Sequence, residues 1–201
     1  MDRTEQQMAA LFLEINDNQR RVPSSLRWDL VRLVRSEDQS TAITADIVYE
    51  LATRRESPFN SVGIDLTGEK KSLTIKQGSL APEIKKLVAR HLRKTGAEFE
   101  DYLSLLIRFF VAIRSLDPEG WGDSQSTFFK ARVLRALLRV LSDMLSMTAI
   151  DALTTERIRE QLARIDQSTL SEPEVRRMQG SAGVQDLYTL MHDQIFGNRG
   201  V

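Results

Sequence analysis

The sequence predicts a mainly α-helical protein, a multi-helix bundle with one small β-hairpin. Three observations predict it. Apolar residues recur at i, i+3, i+4 and i+7 through most of the chain. Clusters of Gly, Pro, Ser, Asn and Asp fall between those periodic segments, where helices must stop and restart. Only one stretch, "SPFNSVGIDLTGEKKSLTIKQGSL", changes to a period of two. Residues 1–201 read as a single mostly helical domain, with helices on both sides of a hairpin near residues 61–77.

Taken in order, Thr4 to Ile15 forms the first predicted helix, with Met8, Leu11, Phe12 and Ile15 on one face and Asp2 or Thr4 as its cap. The cluster Asn16 to Gln19 ends it. Pro23 suits a first helical turn, where its missing N–H would be unpaired anyway. Leu26, Leu30, Leu33 and Val34 give the second helix its stripe. Ser40 or Thr41 opens a third, carrying Ile43, Ile47, Val48 and Leu51 and closing near Arg54 and Arg55, cations that suit a helix C-terminus. Val62, Ile64 and Leu66 then alternate, as do Leu73 and Ile75, around a turn at Thr67 to Lys71. A lone hairpin is marginal, so it needs helices or a sheet beside it.

After Pro82 the pattern is helical again, with Ile84, Leu87, Val88 and Leu92 on one face and Gly96 as the stop. Phe99, Tyr102, Leu103, Leu106, Ile107, Phe110 and Ile113 form the strongest stripe, followed by the loop "LDPEGWGDSQS". Leu134, Leu137, Leu138, Leu141 and Leu145 mark the next helix, and Thr148 or Asp151 begins a shorter one through Ile165. Pro173 restarts the chain, Gly180 to Gly183 interrupts it, and Val184, Leu187, Leu190, Met191 and Ile195 make the last helix, stopped by Gly197.

Composition narrows the function. The chain has 28 Lys+Arg and 28 Asp+Glu, so it lacks the basic excess of a non-specific phosphate binder and needs a local basic face instead. It has no Cys, which excludes disulfides and thiolate metal sites, and two isolated His, which do not make a histidine metal site. No stretch reaches the roughly 18 to 20 apolar residues that span a bilayer, and "MDRTEQQMAALF" has no signal core. A cytoplasmic location without membrane contact is the expectation.

No phosphate-loop, dinucleotide, zinc-protease or nucleophile-elbow motif is present. His91, in the basic run "KKLVARHLRK", reads as solvated, and His192 as exposed or helix-pairing. Trp121, in "EGWGD", reads as a plug for the end of a core; Trp28 reads as partly exposed. Glu98, Glu100 and Asp101 cluster where a helix start favours acids. Arg132, Arg135 and Arg139 fall at i, i+3 and i+7 beside the leucine face. They form either the solvated edge of an amphipathic helix or a ridge that tracks phosphates. Gly180 to Gly183 either breaks a helix or cradles an anion. The amide cluster carries more polar chemistry than a turn requires. One Asn closes a helix in the left-handed conformation, but Asn16, Asn18 and Gln19, with Arg20 and Arg21 beside them, also suit a binding site for a base edge, ribose or phosphate.

The run Phe12-x-x-Ile15-Asn16-x-x-Gln19-x-x-Val22, followed by a serine-containing link and a leucine-bearing helix, resembles the "F-x-x-I-N-x-x-Q" region of DGQHR-domain proteins. These include DndB-like regulators of DNA phosphorothioation and relatives linked to DNA modification and defence. "ESPF" before the predicted hairpin, Phe109-Phe110 before a proline and Trp121, and a glycine-rich stretch before "VQDLYTLMHDQI" keep the same order. The namesake Asp-Gly-Gln-His-Arg motif is absent. In the family it lies in a ParB-like α/β portion that would precede Met1, so the resemblance implies the helical C-terminal part of a larger fold. It implies a regulatory or DNA-binding role; independent catalysis is not expected, because no acid/base or nucleophile set can be named, and no cofactor is expected. The implied partners are DNA, through the arginine-bearing helices, and the N-terminal portion or another protein packing on the first helix and hairpin. A helical protein-interaction or scaffold module, including a homo-oligomer, is the alternative.

Overall fold

The computed structural model describes residues 4–5, 7–11, 23–34, 38–70, 72, 75–171, 173–178 and 180–197. Among them nine helices are delimited: α1 Ser24–Val34, α2 Gln39–Thr53, α3 Gln77–Thr95, α4 Phe99–Leu116, α5 Ala131–Met147, α6 Thr155–Leu162, α7 Gln167–Ser171, α8 Pro173–Arg177 and α9 Gly180–Phe196. Residues 7–11 are helical as well. Thr4 caps them, because Gln7 N–H donates to Thr4 Oγ1 at 3.4 Å and Thr4 N–H donates to Gln7 Oε1 at 3.1 Å. The continuation toward Ile15 lies outside the described residues.

Side chains fix where several helices start and stop. Asp38 caps α2 by accepting from Ser40 N–H, and Lys85 Nζ sits 2.8 Å from the same carboxylate, which pins the start of α2 to α3. Gly96, at φ 62°, takes the left-handed conformation that closes α3. Glu98 and Asp101 form a capping box on α4, and Arg54 grips Glu100 with two hydrogen bonds of 3.0 Å. The acidic cluster at the start of α4 is thus used in capping and pairing.

Three sequence expectations are corrected. The hairpin is not formed among the described residues. One isolated bridge, Asp65 with Lys76, stands in its place. Val62 sits in a turn, with Val62 N–H and Gly63 N–H both donating to Phe59 O. The Asp65 carboxylate draws in the N–H groups of Thr67, Gly68 and Lys70, curling the chain into a loop where a ladder was expected. Second, α3 starts at Gln77 and holds Pro82 inside it, five residues ahead of the expected start. Its first N–H groups find tertiary acceptors, Gln77 N–H on Asp65 O at 3.0 Å and Gly78 N–H on Ser25 Oγ at 3.0 Å. Third, Gly180 to Gly183 opens α9 and does not interrupt the chain. A Cβ at Gly183 would lie 2.4 Å from the Met178 carbonyl carbon, so the residue must be glycine for α9 to approach that backbone.

The helices pack in a branching order. α1 lies on α2 and α3; α2 also meets α4; α4 carries α6; and α5 is held between α3 and α9. One apolar core runs through them, from Ile47 and Leu51 through Tyr102, Leu106 and Phe110 to Leu137, Leu141, Leu187 and Met191. Trp121 closes one end of it. Its Nε1–H donates to Pro58 O at 2.9 Å and its ring meets Phe59 and Phe129. Trp28 is half-buried against the core.

Candidate functional site

The polar chemistry of the fold concentrates in the seam where α5 meets α3 and α9. A free amphipathic helix would turn Arg132, Arg135 and Arg139 to water. Here two neighbouring helices flank α5, so its arginine stripe faces them instead. Arg132 Nη1 donates to Met178 O at 2.7 Å. Arg139 donates to Glu83 Oε2 through Nε and to Oε1 through Nη2, both at 3.1 Å, and to Gln185 Oε1 on α9 at 2.7 Å. Arg135 Nη2 reaches Glu83 Oε1 at 3.3 Å. The structure brings Arg135 and Arg139 together on Glu83 as a clasp between α5 and α3, and holds Arg132 apart on the Met178 carbonyl just ahead of α9.

Glu83 is the hub. Its side chain is 1% exposed, and Lys86 Nζ adds a further contact at 3.2 Å. Burial pushes its carboxyl up, but the hydrogen bonds from Arg139 and Lys86 outweigh that and hold it below the usual carboxylate range. Further along α3, Arg90 Nη1 donates to Asp143 Oδ1 at 3.1 Å and to Ser142 Oγ at 3.3 Å. Tyr188 OH donates to Asp143 Oδ2 at 2.7 Å, and burial together with that bond pushes the phenol up to about 12.

His91 is 2% exposed, with Nε2 3.0 Å from Ser142 Oγ, so the solvated reading of this residue is corrected. It stands four residues from Leu87 and three from Val88, on the inward face of α3. Burial first, then the charges of Arg90 and Lys94, hold its imidazole below the ordinary histidine value. The His91–Ser142 pair joins α3 to α5; the neighbouring carboxylate, Asp143, is engaged by Arg90 and Tyr188. His192 is half-buried between the rings of Tyr188 and Phe196.

The outward face of α3 differs from that of α5. Lys86, Arg90 and Lys94 are exposed, at i, i+4 and i+8. With a rise of 1.5 Å per residue, neighbouring cations are about 6 Å apart along the axis. Glu83 is the one carboxylate in α3, and it is buried. Sequence reasoning passed over Glu83, Lys86, Arg90, Asp143 and Tyr188. The available signal was the lone Glu in a helix otherwise rich in Lys and Arg.

Asn16, Asn18, Gln19, Arg20 and Arg21 lie outside the described residues. The start of α1, a few residues further along the chain, is held firmly. Ser25 Oγ accepts from Gly78, and a Cβ at Gly68 would lie 3.3 Å from Ser25 Cβ. No group of three or more His, Cys, Asp or Glu among the described residues could hold a metal ion, and no helix there is long and apolar enough to cross a membrane. No family model, curated protein or solved structure matches this chain.

Proposed function

We propose that this chain is a DNA-binding regulatory component of a DNA-modification or defence system, of the DGQHR, DndB-like type, without catalysis of its own. The resemblance of the Phe12 to Val22 segment suggests the system. The single observation that supports the DNA contact is the exposed line Lys86, Arg90 and Lys94. It supplies the local basic face that a chain of zero net charge requires. The contact expected of Arg132, Arg135 and Arg139 moves to α3, because the α5 arginines are engaged within the fold.

The test is duplex binding across a salt series. Three phosphate contacts predict a log–log slope near about −2.7. Lys86→Ala with Lys94→Ala should make the slope shallower by about 1.8 and weaken binding uniformly across sequences. Salt-insensitive binding by the wild-type chain, or an unchanged affinity and slope in that variant, would remove α3 as the contact.

A second reading, a helical interaction or scaffold module, has its own observation. Met8 is 54% exposed, Leu11 and Leu33 are also exposed, and Leu26, Trp28, Leu30 and Val31 of α1 are only half-buried. A solution mass above the 22.9 kDa of one chain, reduced by Met8→Ser with Leu33→Ser, would favour it.

A further inference from the structure

Between α3, α5 and α9 lies an open cavity of about 300 Å³, with Glu83, Lys86 and Arg90 on one wall, Arg139 and Asp143 on the second, and Tyr188 on the third. The charges around it do not cancel. Lys86, Arg90 and Arg139 in its lining, with Arg135 behind the lining on Glu83, bring four positive charges. Glu83 and Asp143 bring two negative ones, both already engaged. On α9 the side chains that join this network, Gln185 and Tyr188, are uncharged amide and phenol. Two positive charges are left over.

They are also placed to receive a ligand. Arg139 spends its Nε and both terminal nitrogens on Glu83 and Gln185, so it braces the wall. Among the described residues, the contact made by Lys86 Nζ is with Glu83, and the side chain is 65% exposed. Arg90 bonds through Nη1 and is 51% exposed, leaving its remaining N–H donors for the cavity mouth. Leu87 and Leu138 supply apolar wall between these groups. Fixed donors, a surplus of charge and an apolar wall are the parts of a small-molecule site.

The geometry points to a binding site for a phosphomonoester group carried by a small molecule, seated between Lys86 and Arg90 with Tyr188 at its side. A phosphomonoester carries about −1.5 to −2 at pH 7, which matches the surplus. A backbone phosphodiester carries one charge and would leave half of it unbalanced. The volume lies at the lower end of the range for ligand pockets, about 300 to 1,000 Å³, which suits a compact metabolite or mononucleotide. This site is independent of the DNA reading, although Lys86 and Arg90 serve both.

The experiment uses the full chain at pH 7.5 and constant ionic strength, without DNA. Inorganic phosphate and methyl phosphate are titrated against it, with dimethyl phosphate as the diester control, read by ³¹P line broadening and by thermal melting. Saturable binding of the two dianions, and none of the diester, is expected. Lys86→Gln, at an exposed position, should weaken that binding at least about tenfold. Lys94→Gln, outside the cavity, should leave it unchanged while weakening DNA binding. Equal response to the diester, an affinity unaffected by Lys86→Gln, or no response beyond that to chloride would overturn the assignment. If Lys94→Gln weakens phosphate and DNA alike, the anion lies on the outer face of α3 and the cavity site is refuted.

Discussion

Glu83→Gln tests the clasp that joins α3 to α5. The substitution keeps shape and one acceptor oxygen but removes the charge. Glu83 is 1% exposed, and its two oxygens accept three hydrogen bonds from Arg135 and Arg139. Those arginines are 26% and 22% exposed. Removing one partner from such a buried network leaves guanidinium groups without a counter-charge and costs about 3 to 5 kcal/mol. Lys86, mostly in water, adds little to that figure. In a chain of 201 residues, 1 kcal/mol moves Tm by about 2 to 4 °C, so the variant should melt roughly 6 to 20 °C lower. Urea unfolding at 25 °C measures the free energy directly.

The acid limb gives a second check. The folded Glu83 carboxyl is held below its ordinary 4.5, so its contribution is present above that value and is lost as pH falls through the depressed one. The gap between wild type and Glu83→Gln should therefore close in acid. Replacing the whole set, with Glu83→Met, Arg135→Met and Arg139→Leu, should recover most of the loss, because the desolvation of all three charges goes with them. A Glu83→Gln protein within about 1 kcal/mol of wild type at pH 7 would refute the idea that this clasp holds the bundle together.

Further outcomes rest on single contacts. His91 is held neutral by burial and by Arg90 and Lys94, so stability should fall as pH drops from about 6.5 through its lowered value, and His91→Gln should flatten that slope in pH-dependent urea melts. Gly183→Ala drives a Cβ into the Met178 backbone and should cost about 1 to 3 kcal/mol by chemical denaturation; a neutral result would mean that α9 slides freely along residue 178. Ser25→Ala leaves Gly78 N–H without its acceptor and should cost about 0.5 to 2 kcal/mol, with faster amide exchange at the start of α3.

The helices were legible because each buries one face, and a 3.6-residue period records that directly. Leu134, Leu137, Leu138, Leu141 and Leu145 are all buried, as the spacing required. The start of α3 was not legible, because Gln77 to Ala81 carries no apolar period of its own. It is helical because Asp65 and Ser25, distant in sequence, accept its first N–H groups. The hairpin reading failed for a similar reason. Alternation at Val62, Ile64 and Leu66 describes burial on one side, and a turn closed on Phe59 achieves the same burial without a partner strand.

The candidate site shows a sharper limit. A sequence gives the stripe Arg132, Arg135 and Arg139, but the stripe does not say what lies across it. α9 crosses there, and with α3 and the Met178 carbonyl just ahead of α9 it turns three apparent surface cations into bracing within the bundle. The same packing decides the outer face. Because Glu83 must point inward to meet the arginines, α3 presents water with Lys86, Arg90 and Lys94 and no carboxylate of its own. The basic surface of this neutral chain is thus a consequence of the buried clasp. Glu83→Gln and Lys94→Ala should therefore separate at pH 7: the first acts on stability, and the second on the proposed salt-dependent DNA contact.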